Sequence, residues 1–226
     1  MPAGHDNREK LLQDLLALVR RYELMIPEAA ANYFEISAQR AKSLLNRLSH
    51  EKRLRRISLY RNRLCYVIES KDKRGTGLGE NNKIRRYATL MFCLMQGRRR
   101  HKLTSAEFIK KFGLTRRAER YFIDNQADHP LMGYLRVDLA GVGRWDRIVF
   151  KALGDARYHL GRPEFQPFIV QNAFEIRIIT PLSQKAEQIR RRLSTSETHH
   201  VRIRVTSIPE LINLISPLPS NRITRP

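Results

Sequence analysis

Residues 27–68, PEAAANYFEISAQRAKSLLNRLSHEKRLRRISLYRNRLCYVI, decide the reading of this chain. Pro27 suits the first turn of a short helix ending near Phe34 and Glu35, because its ring presets the helical φ and an N–H there would go unpaired. Ser37 supplies a side-chain oxygen to cap a second helix running to about His50. Ala41, Leu44, Leu45 and Leu48 fall on one face of that helix, and Gln39, Arg40, Lys42, Ser43, Asn46 and Arg47 on the other. The following residues to Ile68 carry the pattern of a β-hairpin. Helix, tight turn, helix and basic hairpin is the order of a winged helix-turn-helix, a shape that sets one helix into a DNA groove.

The chemistry of that surface fits duplex DNA. The segment from Lys52 to Arg63 carries six basic side chains and no acidic one, so a phosphate backbone is its natural counter-surface. Gln39, Arg40 and Ser43, in the first half of the second helix, are candidates for base edges, since Gln pairs with adenine and Arg with guanine at about 1–3 kcal/mol of discrimination each. Lys42, Arg47, Arg53, Arg55, Arg56, Arg61 and Arg63 are the candidate phosphate clamp.

Composition points the same way. Forty-three Lys and Arg against 22 Asp and Glu give a formal net charge of +21, which an anionic partner would relieve. The excess is spread along the chain, with 16 basic and 10 acidic residues in 1–80, 16 and 6 in 81–151, and 11 and 6 in 152–226. A hydrophobic fraction of 42% over 226 residues is enough for folded cores and excludes a disordered polycation. The N-terminus lacks the apolar stretch of a signal peptide and no run approaches the roughly 18 apolar residues of a membrane span, so a cytoplasmic location is expected. Cys65 and Cys93 cannot build a metal site or a disulfide framework and read as small core residues. No motif calls for a cofactor or a metal.

The organisation expected is α+β, with tandem winged helix-turn-helix domains followed by a small βαβα unit. The first domain spans 1–69, where Asp6 or Asn7 caps a support helix to about Arg21. Residues 70–82, rich in charge, glycine and asparagine, read as a linker. Gly75, Gly77 and Gly79 follow no strand and precede no GK[ST], so they make no phosphate loop. The second winged helix is expected over 83–152, with helices at 83–96 and 105–112, a third capped by Thr115, and a hairpin formed by GYLRVDL and RWDRIVF. At an offset of 78 residues, Phe34-Glu35-Ile36-Ser37 falls on Phe112-Gly113-Leu114-Thr115, and Leu44 on Phe122. Arg116, Arg117 and Arg120 then occupy the position of a second recognition helix, Arg144 the hairpin tip, and residues 98–102 a basic loop beside them.

Residues 153–216 read as β-α-β-α. The strand EIRIIT, the helix SQKAEQIRRRL and the strand VRIRVT imply parallel strands joined by a crossover, with Arg202 and Arg204 on the face opposite Val201, Ile203 and Val205. Two strands do not stand alone, so this unit must pack on its neighbour, on a protein partner or on a second copy. Residues 217–226 read as a tail. One alternative is a metal-dependent nuclease using Asp138, Asp146 and Glu175, although Arg177 stands where such sites place a lysine, and the other is a DNA-anchored assembly factor whose C-terminal unit binds another protein through apolar surface beside Val201, Ile203 and Val205. His199-His200, Tyr121 and Tyr134 read as loop and packing residues.

The stretches EAAANYFEISAQRAKSLLNRL and RLRRISLYRNRLCYVI resemble the winged-helix part of the replication-relaxation family of plasmids and integrative elements, and EIRIITPLSQKAEQIRRRL with VRIRV is similar to the strand-helix-strand closing that family's second part. The resemblance covers about half the chain and implies a bacterial, DNA-binding accessory of plasmid replication, transfer or transcription, associated with nucleoid or plasmid. The second winged helix expected here departs from that pattern.

Overall fold

The computed structural model describes residues 3–59, 63–68, 79–96, 100–113, 120–125, 130–139, 145–198 and 200–215. The chain is α+β. It opens with helices α1 (Ala3–Tyr22), α2 (Pro27–Phe34) and α3 (Ala38–His50), followed by the antiparallel strands β1 (Leu54–Leu59) and β2 (Arg63–Ile68). Helix α1 starts at Ala3, ahead of the caps expected at Asp6 or Asn7. Helix α4 (Glu80–Leu90) continues as a π-helical turn through Met95 and leads to β3 (Arg100–Lys102), α5 (Ser105–Phe112), β4 (Tyr121–Asp124) and β5 (Leu131–Val137). Then come α6 (Trp145–Leu160), α7 (Gln166–Val170), β6 (Phe174–Thr180), α8 (Ser183–Ser194), β7 (Arg202–Ser207) and α9 (Ile212–Ile215). Among the described residues no helix is long and apolar enough to cross a membrane.

Strands β3 to β7 form one sheet in sequence order, antiparallel from β3 to β5 and parallel from β5 to β7. A parallel neighbour requires a crossover, and α6 and α8 provide the two that join β5 to β6 and β6 to β7. Both helices cover the face bearing Met132, Ile176, Ile178 and Val205. The opposite face, with Phe122, Leu135 and Ile179, joins the core of α1 to α4, so one apolar cluster runs from Leu12 to Leu214. Polar ties reinforce that union. Arg21 makes a two-pronged pair with Glu107 at 2.8 Å and also donates to the Lys102 carbonyl, while the Tyr22 hydroxyl accepts from the Lys102 N–H. Burial raises the Glu107 carboxyl, but the bonds from Arg21 and Thr104 outweigh it and hold the group down at about 2.

The face toward α4 also buries charge. Arg100 pairs with Asp124 at 2.8 Å and lies 4.0 Å from the centre of the Phe92 ring, while Arg177 pairs with Glu175 at 2.5 Å and approaches the same ring. Arg204 reaches Glu175 from β7 at 3.6 Å. Pairing and aromatic contact offset the desolvation of these ions, and removal of one partner would strand the other.

The middle of the chain departs from the expected pattern in three places. Residues Trp145 to Phe150 are the first turns of α6, so they form no hairpin with GYLRVDL, of which residues 133–137 lie in β5, flanked by β4 and β6. Residues 100–102 of the presumed basic loop are a strand, with Arg100 and Lys102 buried. The offset of 78 residues holds only locally. Helices α2 and α5 correspond residue for residue and end alike, with Glu35 at φ 53° and Gly113 at φ 66°. After that the pattern parts, since Leu44 sits in a helix whereas its counterpart Phe122 sits in β4. The segment capped by Thr115 lies outside the described residues. A second winged helix is therefore not formed as expected, and the βαβα segment shares its sheet with residues 100–137.

Two consequences are measurable. At Gly133 an added Cβ would fall 2.0 Å from the Phe122 ring, which is fully buried and packed edge-on against Phe92. Gly133→Ala is expected to cost about 1–3 kcal/mol in denaturant unfolding. His159 is 1% exposed; its Nδ1–H donates to the Asp155 carbonyl, so Nε2 accepts from the Tyr121 hydroxyl at 2.8 Å. Burial lowers its ionisation from 6.5 to about 4. The unfolded chain therefore takes up a proton that the folded chain refuses, and stability present above pH 6.5 is lost as pH falls towards 4. The expected loss at pH 5.5 is about 1.4 kcal/mol relative to pH 7.5 or above, and it should vanish from the pH dependence of a His159→Phe variant.

Candidate nucleic-acid interface

The geometry of the α2–α3 turn follows from its local sequence. The Glu35 N–H, in left-handed backbone, bonds back to the Ala31 carbonyl, as does the Ile36 N–H at 3.1 Å. Ser37 Oγ then accepts from the Arg40 N–H at 3.2 Å and starts α3. Ala29, Ala30 and Ala41 are fully buried, and their small size lets the helices approach closely. Leu44, Leu45 and Leu48 join the same core. One side of α3 is thereby fixed inward, and Gln39, Arg40, Lys42 and Ser43 are left exposed on the other.

The hairpin is locked to that helix. The Tyr66 hydroxyl of β2 donates to Asn46 Oδ1 of α3 at 2.6 Å, and the Met25 and Tyr66 backbones bond reciprocally. Asn46 lies on the outward side expected of α3, and no local signal identifies its partner 20 residues away. Burial, the largest cause, raises the Tyr66 ionisation against the opposing effect of Arg56.

The basic residues here fall into two sets. Arg47 is held by Glu51 at 2.8 Å and by Glu9 at 3.4 Å; Arg53 by Gln13 at 3.1 Å and Glu51 at 3.8 Å; Arg63 by Glu28 at 3.6 Å. These exposed pairs are weak and would yield to a phosphate at little cost. Arg40, Lys42, Arg55 and Arg56 are exposed, and among the described residues no carboxylate pairs with them. Arg61, Arg116, Arg117 and Arg144 lie outside the described residues, as do Arg98 and Arg99. Arg120 is exposed before β4 and donates to the Tyr134 hydroxyl at 2.9 Å, so it belongs to the five-stranded sheet and not to the hairpin.

The carboxylates of the nuclease alternative are not brought together. Glu175 stands opposite Gly133, whereas the Asp138 N–H bonds to the Ile179 carbonyl. That places the two acids about 16 Å apart along the strands. Glu175 is paired with Arg177, Asp138 with Lys185 at 2.6 Å, and Asp146 is exposed on α6. Among the described residues no three His, Cys, Asp or Glu side chains gather as metal ligands. Tyr121 packs in the aromatic core with Phe108 and Phe165, and burial raises its ionisation. Tyr134 stacks edge-on against it. His199 lies outside the described residues. Cys65 and Cys93 are buried free thiols, each pushed up to about 12 by burial. Val201 and Val205 are buried in the core that includes α8, and Ile203 between them is half-buried.

No protein-family model, curated protein or solved structure matches this chain.

Proposed function

We propose that the chain binds duplex DNA through one winged helix-turn-helix, with α3 as the recognition helix and the β1–β2 hairpin as the wing. The observation that carries this reading is the exposure of Gln39, Arg40, Lys42 and Ser43 on the N-terminal half of a helix whose other face is buried. Gln39, Arg40 and Ser43 supply donors and acceptors for base edges. Lys42, Arg47, Arg53, Arg55, Arg56 and Arg63 supply cations for the flanking phosphates, and the Asn46–Tyr66 bond holds the two sets in register. The net charge of +21 provides long-range attraction to the polyanion. On this reading the chain is a sequence-specific regulator or accessory factor of the replication, transfer or transcription of a mobile element, as the resemblance to the replication-relaxation family suggests.

Fluorescence anisotropy with labelled duplexes, one from the DNA flanking its own gene and one of random sequence, tests the division of roles. Gln39→Ala with Arg40→Ala is expected to reduce the preference for the specific duplex by about 5- to 150-fold, equivalent to about 1–3 kcal/mol. Arg55→Ala with Arg56→Ala should weaken both duplexes alike and lower the salt slope by about 2. Wild-type affinity and salt slope in both variants would rule the surface out.

A further inference from the structure

At the carboxyl end of β5 the molecule opens into a cleft of about 660 Å³. One wall is α4, with Arg85 and Arg86; the other is the start of α6, with Arg147 and Lys151; the floor is the chain from Leu135 to Leu139. Ends of strands flanked by helices on opposite faces are where α/β sheets leave room for ligands. Among the described residues, seven Lys and Arg side chains line this cleft against two carboxylates, Glu23 and Asp138.

Both carboxylates are already engaged. Glu23 binds Arg86 at 2.6 Å and Lys102 at 3.5 Å, and Asp138 binds Lys185. Arg136 is held by Asp155. Arg85 on one wall makes only a 3.5 Å contact with Asn82 among the described residues. Arg147 and Lys151 lie one turn apart on the other wall, exposed; among the described residues no carboxylate lies within ion-pairing distance of either, and Lys151 acts only at longer range on Asp155, which Arg136 holds. Like charges at that spacing repel each other, and a concave wall concentrates their field. An anion in the cleft relieves both effects. Its chemistry is set by what the walls lack, for the one aromatic lining residue among those described, Tyr22, is 1% exposed and offers no ring on which a base could stack.

We propose that this cleft binds successive backbone phosphates of a DNA strand, as a contact surface separate from α3 and the wing. The inference rests on reading the chain as a DNA binder but uses none of the residues assigned to the recognition helix. Arg85, Arg147 and Lys151 make the phosphate contacts, and the Glu23 pairs hold Arg86 and Lys102 in place behind them.

The test is anisotropy of the full chain with a labelled duplex of random sequence across a salt series. The triple variant Arg85→Gln, Arg147→Gln, Lys151→Gln is expected to lower the salt slope by about 2–3, at about 0.9 per lost phosphate contact, with an affinity loss of tenfold or more. The charge-retaining set Arg85→Lys, Arg147→Lys, Lys151→Arg should restore both. Lys151→Gln alone, at an exposed site, should lower the slope by about 0.9 and serves as the reading if the triple variant does not fold. An unchanged slope in the triple variant, or in Lys151→Gln where that is the reading, overturns the proposal; if the variants of Gln39, Arg40, Arg55 and Arg56 lose binding in the same series, the recognition-helix reading stands without it. The converse pattern, with wild-type binding in those variants and loss in the cleft variant, sustains the cleft and removes the recognition helix. Calorimetric titration with tripolyphosphate closes the remaining case: uptake by the intact protein with an unmoved DNA slope assigns the cleft to free oligophosphates and overturns the proposal.

Discussion

The parallel pairing of β5 with β6 is the constraint on which the rest of this structure depends. Once Met132 to Val137 lies beside Phe174 to Ile179 in parallel, the chain between them must return over the sheet, and α6 is that return. The pairing also buries β5 between neighbours on both sides. Gly133 then faces the Phe122 ring with no room for a side chain, and Leu135 and Val137 turn toward the core of the N-terminal helices. One strand thus decides the helical state of residues 145–160 and the union of the two ends of the chain.

The same sheet sorts the charge of a very basic protein. Arg100, Asp124, Glu175 and Arg177 are paired inside, around the ring of Phe92, where the surrounding apolar packing makes partner loss expensive. Outside, exposed cations occur on many elements, and two of the surfaces that carry them are α3 with its hairpin and the cleft at the end of β5. The first is built on a locally determined turn, and the second on a junction of elements distant in sequence.

That difference explains what the sequence made readable. Pro27, Ser37 and the apolar spacing of Ala41, Leu44, Leu45 and Leu48 are local signals, and α2, α3 and the hairpin follow them. The strand-helix-strand of β6, α8 and β7 was equally legible, with Arg202 and Arg204 exposed as their alternation implies. The segment around Trp145 misleads in a seven-residue window, because its four apolar residues, Trp145, Ile148, Val149 and Phe150, all suit a strand. Extended to Ala156, the buried positions Ile148, Val149, Ala152 and Ala156 keep helical spacing. Arg100 and Lys102 hid a strand because their burial depends on Asp124 and on the end of α1, and neither is a local feature. The cleft walls were invisible for the same reason: Arg85 and Lys151 become neighbours only through the sheet.

Hydrogen–deuterium exchange of the full chain, with and without a saturating duplex, is the decisive measurement. Binding through α3 and the wing predicts slowed exchange in peptides covering 37–56, with the core of β6 unchanged because it is buried in both states. Unaltered exchange over 37–56 in a complex that demonstrably contains DNA would contradict it.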